Sequence, residues 1–193
     1  MEHITGKKFL LSDNYKTPNN LPSSMNLKKA FTLLTIAVLV PAWLTAREGT
    51  GRTIPEVTIK TLEGRDFQTT QFDNKGKPYV VSFWATWCRP CLKELNAIAD
   101  IYPEWQDLGF KLIAVSTDDA RTRANIQPMV NGRGWEYEFY HDENGDFRRA
   151  MGVNSVPHTF IINGEGEIIS QHTSFVDGME WEMYDKLMEL LEE

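Results

Sequence analysis

The spacing of apolar residues predicts a buried strand that leads directly into a helix. Residues 79–84, YVVSFW, form a short and nearly continuous apolar run, which is typical of a strand buried on both faces. From Cys88 onward, apolar residues recur at steps of three and four positions, as expected for a helix with one buried face. Pro90 falls in the first turn of that helix, where its missing N–H costs no hydrogen bond. The pattern therefore predicts a strand and a helix joined by a very short turn.

The remaining pattern predicts an α/β domain. A second buried strand is expected within residues 110–119, followed by a helix over residues 120–130 that Pro128 and the glycines of residues 131–135 would end. Alternating residues around positions 63–64 and 163–164 predict two hairpins, and a last amphipathic helix closes the chain. Because buried strands joined through helices pack those helices against a sheet, we expect a central sheet with helices on both faces.

The first 46 residues follow a different pattern. Lys28 and Lys29 precede an apolar run over residues 30–44, and small residues follow it. This order of positive, apolar and small residues is typical of a secretory signal peptide. The run is shorter than the roughly 20 residues that a membrane-spanning helix needs. Leu44 is bulky for a position near a cleavage site, so a retained N-terminal membrane anchor is the alternative for residues 25–46.

The domain boundaries follow from this segment. Residues 1–24 form a polar extension rich in Asn, Pro, Ser and Lys, whereas a signal normally begins close to the N-terminus. Met25 stands where such a signal would start, so we hypothesise that translation begins at Met25 and that residues 1–24 are not translated. Residues 52–193 show no linker and no internal repeat, and we expect them to form one domain.

The charge of the chain argues against two classes of partner. Residues 1–46 hold five lysines and two acidic residues, so residues 47–193 carry 15 basic and 25 acidic side chains and a formal charge of −10. A domain this acidic is a poor match for the phosphates of nucleic acids or for anionic lipid headgroups. We therefore expect no nucleic acid partner, and contact with a membrane only through the N-terminal segment if that segment is retained.

Cys88 and Cys91 are the only two cysteines in the sequence. Two cysteines in an exported protein usually form a structural disulfide. Such a bridge stabilises mainly by closing a long loop, however, and two intervening residues gain little in that way. The spacing therefore favours reversible chemistry, which needs a thiolate. Cys88 is expected at a helix N-terminus, where free N–H groups and the helix dipole stabilise an anion, and Cys91 is one turn further in.

Two segments of the chain carry a family resemblance. Residues 83–91, FWATWCRPC, and residues 156–161, VPHTFI, resemble the thioredoxin superfamily. Within it they are most similar to the exported thiol-disulfide oxidoreductases of the TlpA and ResA type, which have an AhpC/TSA-redoxin-like domain. The resemblance covers about residues 52–193. It implies a thioredoxin-like α/β fold with a central mixed β-sheet, helices on both faces and an extra N-terminal β-hairpin.

The same resemblance implies roles for individual residues. Cys88 would be the nucleophile and Cys91 the resolving thiol. Val156 and Pro157 would form a cis peptide bond that faces the two sulfurs. Trp87 would shield the cysteine pair or contact a substrate.

Other positions near the cysteines refine this picture. Ser82 stands where thioredoxin carries a buried Asp, and a serine cannot move protons in the same way. Reductases of the ResA type instead place a Glu three residues after the second cysteine, which is Glu94 here. Helical spacing puts Glu94 at the edge of the buried face, where it could accept the Cys91 proton; a solvent-exposed Glu is the alternative. His158 replaces the family's usual Thr and is interpreted as the first residue of a strand, and His172 lies in no ligand pattern.

These features predict an exported thiol-disulfide oxidoreductase that acts as a disulfide reductase through a mixed disulfide. Its substrates would be disulfide-containing proteins, and no cofactor or metal would be needed. The family resemblance further implies that a membrane thiol donor supplies the electrons. The resemblance extends this prediction to the periplasm or cell envelope, and to keeping the thiols of apocytochrome c reduced. The direction of electron flow depends on a reduction potential, which the sequence does not reveal.

Three alternative functions stay open at this point. The two thiols could deliver Cu(I) or Zn(II), although two cysteines without a suitably spaced histidine make only half of a zinc site. A peroxiredoxin-like antioxidant enzyme is the second alternative, but Thr86 is one residue too close to Cys88 for the pattern of peroxidatic cysteines. A noncatalytic domain with a stable disulfide is the third.

Overall fold

The computed structural model describes residues 51–192. This part of the chain contains strands, α-helices and short 3-10 helices. In chain order the strands and α-helices are β1 (Thr58–Thr61), β2 (Asp66–Gln68), β3 (Tyr79–Trp84), α1 (Arg89–Leu108), β4 (Leu112–Ser116), α2 (Ile126–Arg133), β5 (Glu138–His141), α3 (Asp146–Ala150), β6 (His158–Ile162), β7 (Ile168–Thr173) and α4 (Met179–Glu192), and the 3-10 helices are Thr69–Gln71 and Arg123–Asn125.

The strands form one mixed sheet. Their spatial order is β2-β1-β5-β4-β3-β6-β7. The central pairs β3–β4 and β4–β5 are parallel, whereas the other neighbouring pairs are antiparallel. Because β3 and β4 run in the same direction, their carboxyl ends meet at one edge of the sheet. The segment that carries the cysteines leaves β3 at that edge.

Helices cover both faces of the sheet, which confirms the predicted α/β architecture. On one face, α1, α2 and α4 pack against strand residues that include Val80, Leu112 and Ile161. On the other face, Phe147 of α3 packs against Phe83, with ring centroids 5.1 Å apart. β3 contributes side chains to both clusters, which explains why every residue of this strand is apolar or hydrogen-bonded inside the core.

Helix α1 begins immediately after the turn that follows β3, because the sequence supplies a helix start there. Cys88 is the N-cap residue, and Pro90 occupies the first turn, where a missing N–H is harmless. The helix ends at Gly109, whose φ of 83° lies in the left-handed region that glycine adopts without strain. Its buried side chains recur at helical spacing and are Cys91, Glu94, Leu95, Ile98, Ile101, Tyr102 and Trp105.

Both predicted hairpins are present. β1 and β2 pair antiparallel on either side of the turn at residues 63–64, and β2 forms one edge of the sheet. β6 and β7 pair antiparallel on either side of the turn at residues 163–164, and β7 forms the other edge. The first of these is the N-terminal hairpin that the family resemblance implies.

The helix after β4 differs from the sequence prediction. The pattern predicts a helix over residues 120–130 that Pro128 and the following glycines end, whereas α2 spans Ile126–Arg133 and follows a 3-10 turn. Pro128 lies in the first turn of α2, where the backbone N–H has no partner within the helix, so it does not end the helix. Gly134, one of the glycines predicted to end the helix, follows its last turn in the left-handed conformation.

The predictions for the N-terminal segment lie outside the described residues. The polar extension 1–24, the signal peptide or anchor over residues 25–46 and the start at Met25 therefore stay predictions. Between residues 51 and 192, none of the helices combines the length and apolar composition that a membrane span requires.

Replacing Gly164 by alanine is expected to destabilise the fold. Gly164 lies in the turn between β6 and β7, and a Cβ at this position would lie 2.0 Å from the carbonyl oxygen of Gly76. Because this distance is far below a van der Waals contact, one of the two loops would have to move. We expect a loss of about 1–3 kcal/mol in the free energy of unfolding, measured by urea denaturation.

Gly132→Ala is the matched control for this substitution. Gly132 lies in α2, and a Cβ built at this position has open space around it. Because alanine has a higher helix propensity than glycine, we expect a gain of up to about 1 kcal/mol. A Gly164→Ala variant as stable as Gly132→Ala would contradict the close approach of the two loops.

Candidate active site

Cys88 and Cys91 are joined by a disulfide bond at the N-terminus of α1. The structure therefore describes the oxidised form of the pair. Cys88 keeps 4% of its surface exposed, whereas Cys91 has none. Of the two sulfurs, the one at the start of the helix is thus the one that a partner reaches first.

The start of α1 can stabilise a negative charge on Cys88. The N–H of Cys91 donates a hydrogen bond to Sγ of Cys88 at 3.3 Å. The free N–H groups of the first turn and the helix dipole act in the same direction. Arg89 is exposed, so water screens most of its effect. In the reduced protein this position favours the thiolate, which is the form that attacks a disulfide.

A buried carboxyl group holds the turn between β3 and α1. Asp118 follows β4 and is 1% exposed. The N–H of Thr86 donates to Oδ2 of Asp118 at 2.9 Å, and the hydroxyl of Thr86 donates to Oδ1 at 2.6 Å. The hydroxyl of Ser116 donates a further bond to Oδ2 at 2.7 Å. Asp118 therefore holds both the backbone and the side chain of Thr86, two residues before Cys88.

The loop before β6 lies against the sulfur of Cys88. The Val156–Pro157 peptide bond is cis, as the resemblance implies. The carbonyl oxygen of Val156 lies 3.6 Å from Sγ of Cys88. The carbonyl oxygen of Pro157 accepts a hydrogen bond of 3.1 Å from the N–H of Ser174, which follows β7. The loop is thus held between the disulfide and the end of the edge strand.

The two tryptophans near the cysteines have different surroundings. Trp84 is fully buried and meets the rings of Trp135 and Phe139 edge-on. Trp87 precedes Cys88 and is 62% exposed. Trp84 is therefore part of the core, whereas Trp87 presents a large apolar side chain to solvent beside the disulfide.

Glu94 is fully buried, so the solvent-exposed alternative is wrong. The hydroxyl of Ser82 donates to Oε2 of Glu94 at 3.2 Å, and the hydroxyl of Thr159 donates to Oε1 at 2.8 Å. Nε2 of His172 lies 2.9 Å from the same Oε1. Ser82, Glu94, Thr159 and His172, which we call the Glu94 cluster, come from β3, α1, β6 and β7.

Glu94 lies on the same buried face of α1 as Cys91. Glu94 is three residues after Cys91 on α1, and residues at this spacing are neighbours on a helix surface, with Cβ atoms about 5–6 Å apart. Both side chains are completely buried on the face of α1 that packs against the sheet. The carboxyl group is therefore in the same buried layer as Cys91, which lies one turn further from the start of the helix than Cys88.

Two residues of the site, Asp118 and His172, are not apparent from the sequence. His172 lies 78 positions after Glu94, and it reaches Glu94 because the β6–β7 register places it opposite Thr159. Asp118 has a weak signal that could have been used. It follows the buried strand β4, and a polar residue at the carboxyl end of a central parallel strand is commonly part of a site.

His158 is the first residue of β6, as predicted. Its ring stacks on Phe160 with centroids 4.5 Å apart, and its Nε2 lies 3.3 Å from Oε1 of Gln171. Burial lowers the pKa of His158 below its usual range. The imidazole is therefore neutral near pH ~7 and brings no positive charge to the cysteine pair.

Comparison with known proteins identifies the family. Residues 50–171 match the AhpC/TSA family. A thiol-disulfide oxidoreductase ResA from Oceanobacillus iheyensis is 32% identical over 139 residues, which are 70% of this chain and 71% of the relative. A thiol-disulfide oxidoreductase ResA from Bacillus anthracis is 30% identical over 121 residues, which are 63% of this chain and 68% of the relative.

Solved structures share the fold. An uncharacterized thioredoxin-like protein from Porphyromonas gingivalis is 46% identical and superposes with a TM-score of 0.65, covering 72% of this chain and 92% of that one. StoA from Bacillus subtilis is 21% identical with a TM-score of 0.55, covering 68% and 97% of the two chains, and this likeness concerns the fold alone. The chain thus belongs to the AhpC/TSA family within the thioredoxin superfamily, and it is a thiol-disulfide oxidoreductase of the ResA type.

Proposed function

We propose that this oxidoreductase is an exported disulfide reductase in which Cys88 is the nucleophile and Cys91 the resolving thiol. The position of the pair carries the proposal. The sulfur of Cys88 caps α1 and is partly accessible, whereas Cys91 is fully buried one turn behind it. In this arrangement an incoming disulfide can reach the sulfur of Cys88, and the sulfur of Cys91 is available for the second step.

The proposed reaction has two steps. The Cys88 thiolate attacks one sulfur of the substrate disulfide, which forms a mixed disulfide and releases the first substrate thiolate. The Cys91 sulfur then attacks Sγ of Cys88, the bond to the substrate breaks, and the second substrate thiolate leaves. The substrate gains two electrons, and the Cys88–Cys91 disulfide seen here is the oxidised product.

Trp87, Val156 and Pro157 are proposed to contact the substrate. Trp87 is exposed beside Cys88, and the carbonyl oxygen of Val156 lies next to its sulfur. A protein segment that brings a disulfide to Cys88 would therefore lie between an aromatic side chain and the backbone of the cis-proline loop.

Glu94 is proposed to accept the proton of the Cys91 thiol during the second step. A buried thiol cannot give its proton directly to water, and Glu94 is its neighbour on the buried face of α1. The hydroxyls of Ser82 and Thr159 hold the carboxyl group in place. Proton transfer to a positioned base is a common means of activating such a nucleophile.

Export is proposed from residues 25–46, which read as a signal peptide or a retained anchor. An exported reductase needs a source of electrons outside the cytoplasm, so we propose a membrane thiol donor as its partner. Disulfide-containing proteins of the periplasm or cell envelope would be the substrates. Apocytochrome c, whose cysteines must be reduced before haem attachment, is the candidate that the ResA-type resemblance suggests.

Cys88→Ser is expected to reduce insulin disulfide reduction with dithiothreitol to the background rate, because no thiolate remains at the accessible position. Cys91→Ser is the matched control, since both variants lose the disulfide but only one loses the nucleophile. Cys91→Ser should accumulate a mixed disulfide with the substrate, detected by mass spectrometry. Insulin reduction by Cys88→Ser at the wild-type rate would reject the proposed nucleophile.

Glu94→Gln is expected to slow disulfide exchange by about 10- to 100-fold without unfolding the domain, because the amide can accept hydrogen bonds but no proton. The rate is measured between about pH 6 and pH 9. Glu104→Gln, on the exposed side of α1, is the control and should exchange like the wild type. Equal rates for Glu94→Gln and the wild type over the whole range would exclude the proton acceptor role.

The reductase direction predicts a low reduction potential for the Cys88–Cys91 couple. Potentials in this superfamily span about −270 to −120 mV, and a reductant belongs near the negative end. Equilibration with glutathione or dithiothreitol buffers, followed by alkylation of free thiols, gives the value. A potential near −120 mV would show that the protein is an oxidant instead.

A further inference from the structure

The most unexpected contact of the active site joins Glu94 to His172. Nε2 of the imidazole lies 2.9 Å from Oε1 of the carboxyl group, at the distance of a short ion pair or a hydrogen bond. The contact links the second turn of α1 to the edge strand β7.

Burial differs sharply between the two partners. The Glu94 side chain is 0% exposed, whereas the His172 side chain is 19% exposed. A carboxyl group with no exposure has no direct route for a proton to water. Ser82 and Thr159, its other two partners, are also fully buried. His172 is therefore the member of the Glu94 cluster that reaches solvent.

We propose that His172 is a positioning residue for the reaction of Cys91: it pairs with Glu94 and passes the proton of Cys91 between Glu94 and water. The proposal rests on the function proposed above and deepens it, because it assigns the outlet of the proton that Glu94 receives. An imidazole suits this task, since it can accept a proton on one nitrogen and release one from the other.

The proton balance of the resolving step is as follows. The Cys91 sulfur forms a bond to Sγ of Cys88, the bond between Cys88 and the substrate breaks, and the substrate thiolate leaves with the bonding electrons. The proton of the Cys91 thiol moves to the Glu94 carboxylate, and Oε1 passes it to Nε2 of His172 in the tautomer whose own proton is on Nδ1. Nδ1 then releases its proton to water, which leaves Nε2–H as a donor to the Glu94 carboxylate, and the substrate thiolate can take up a proton from water. When a thiol donor reduces the disulfide again, the proton follows the same route inward.

Other titratable groups near the pair do not replace it. His158 lies on the neighbouring strand β6, and burial lowers its pKa, so it stays neutral at neutral pH. Tyr137, in the segment before β5, donates its hydroxyl to the carbonyl oxygen of Leu95 at 2.7 Å, and burial raises its pKa strongly, so it stays protonated. Lys93 and Asp177 form an exposed ion pair at the same end of α1, at 2.7 Å. Among these groups, only Glu94 and His172 are in hydrogen-bond contact with each other on the buried face of α1 that carries Cys91.

The two sulfurs can be observed separately in the full chain. A nitrophenyl disulfide reagent added to the reduced protein releases one coloured thiolate when Cys88 attacks it and a second when Cys91 resolves the mixed disulfide. The first phase tests the proposed nucleophile, and the second phase tests the proton route. A wild-type protein without a first phase would overturn the proposed function, whereas the inference about His172 depends only on the second phase.

His172→Gln is the principal variant, because its amide can still donate a hydrogen bond to Glu94 but cannot carry a proton. We expect an unchanged first phase and a second phase slowed by about three- to tenfold, less than for Glu94→Gln, since His172 acts through Glu94. The double variant Glu94→Gln/His172→Gln should be no slower than Glu94→Gln alone, because residues on one route are not additive.

His172→Ala provides a second readout that a purely structural role would not give. Since His172 is partly exposed, imidazole added to the buffer can enter the space left by its side chain and should restore the second phase at least severalfold without changing the first. A wild-type second phase in His172→Gln over the whole pH range would overturn the proposal. Multiplicative losses in the double variant, or equal slowing of both phases, would overturn it as well.

Discussion

The hydrogen bonds between Asp118 and Thr86 are the constraint on which the active site depends. A strand in the interior of the sheet must turn into a helix within the four residues 85–88, and the backbone of such a turn needs buried acceptors. The Asp118 carboxyl group receives both the N–H and the hydroxyl of Thr86. Because Asp118 follows β4, the parallel neighbour of β3, the sheet itself positions the turn. Cys88 is therefore placed by the core and not by a free loop.

The Glu94 cluster follows the same principle one turn deeper. Ser82 lies between Val80 and Trp84 on the face of β3 that packs against α1, so it interrupts an otherwise apolar surface. A buried carboxyl group is tolerable only when its oxygens are hydrogen-bonded. Ser82, Thr159 and His172 supply these partners from three different strands. Both oxygens of the Glu94 carboxyl group therefore have hydrogen-bonding partners inside the core.

Local patterns were sufficient to predict most of the fold but only part of the site. β3, α1 and both hairpins follow from residue spacing, because their signals lie within a few residues of each other. α2 begins later than predicted, because residues 123–125 form a 3-10 turn, and it continues past Pro128, since a proline in a first turn does not end a helix. The pairing of His172 with Glu94 could not be predicted, because it depends on the register between β6 and β7. The complete burial of Glu94 likewise could not be predicted, because the residue spacing in α1 does not show which strands cover that side chain.

The two sulfurs of the disulfide need different surroundings, and one helical turn supplies both. Cys88 at the N-terminus of α1 meets N–H groups that favour a thiolate, and its exposure allows protons to exchange with water. Cys91 lies inside the core, where the same charge would be unfavourable unless a neighbouring group takes the proton. Replacing a buried polar pair by apolar residues is often neutral or stabilising for a fold. Stability alone therefore does not explain why Glu94 and His172 occupy a face shared with Val80 and Ile161, whereas the proposed transfer of the Cys91 proton would explain it.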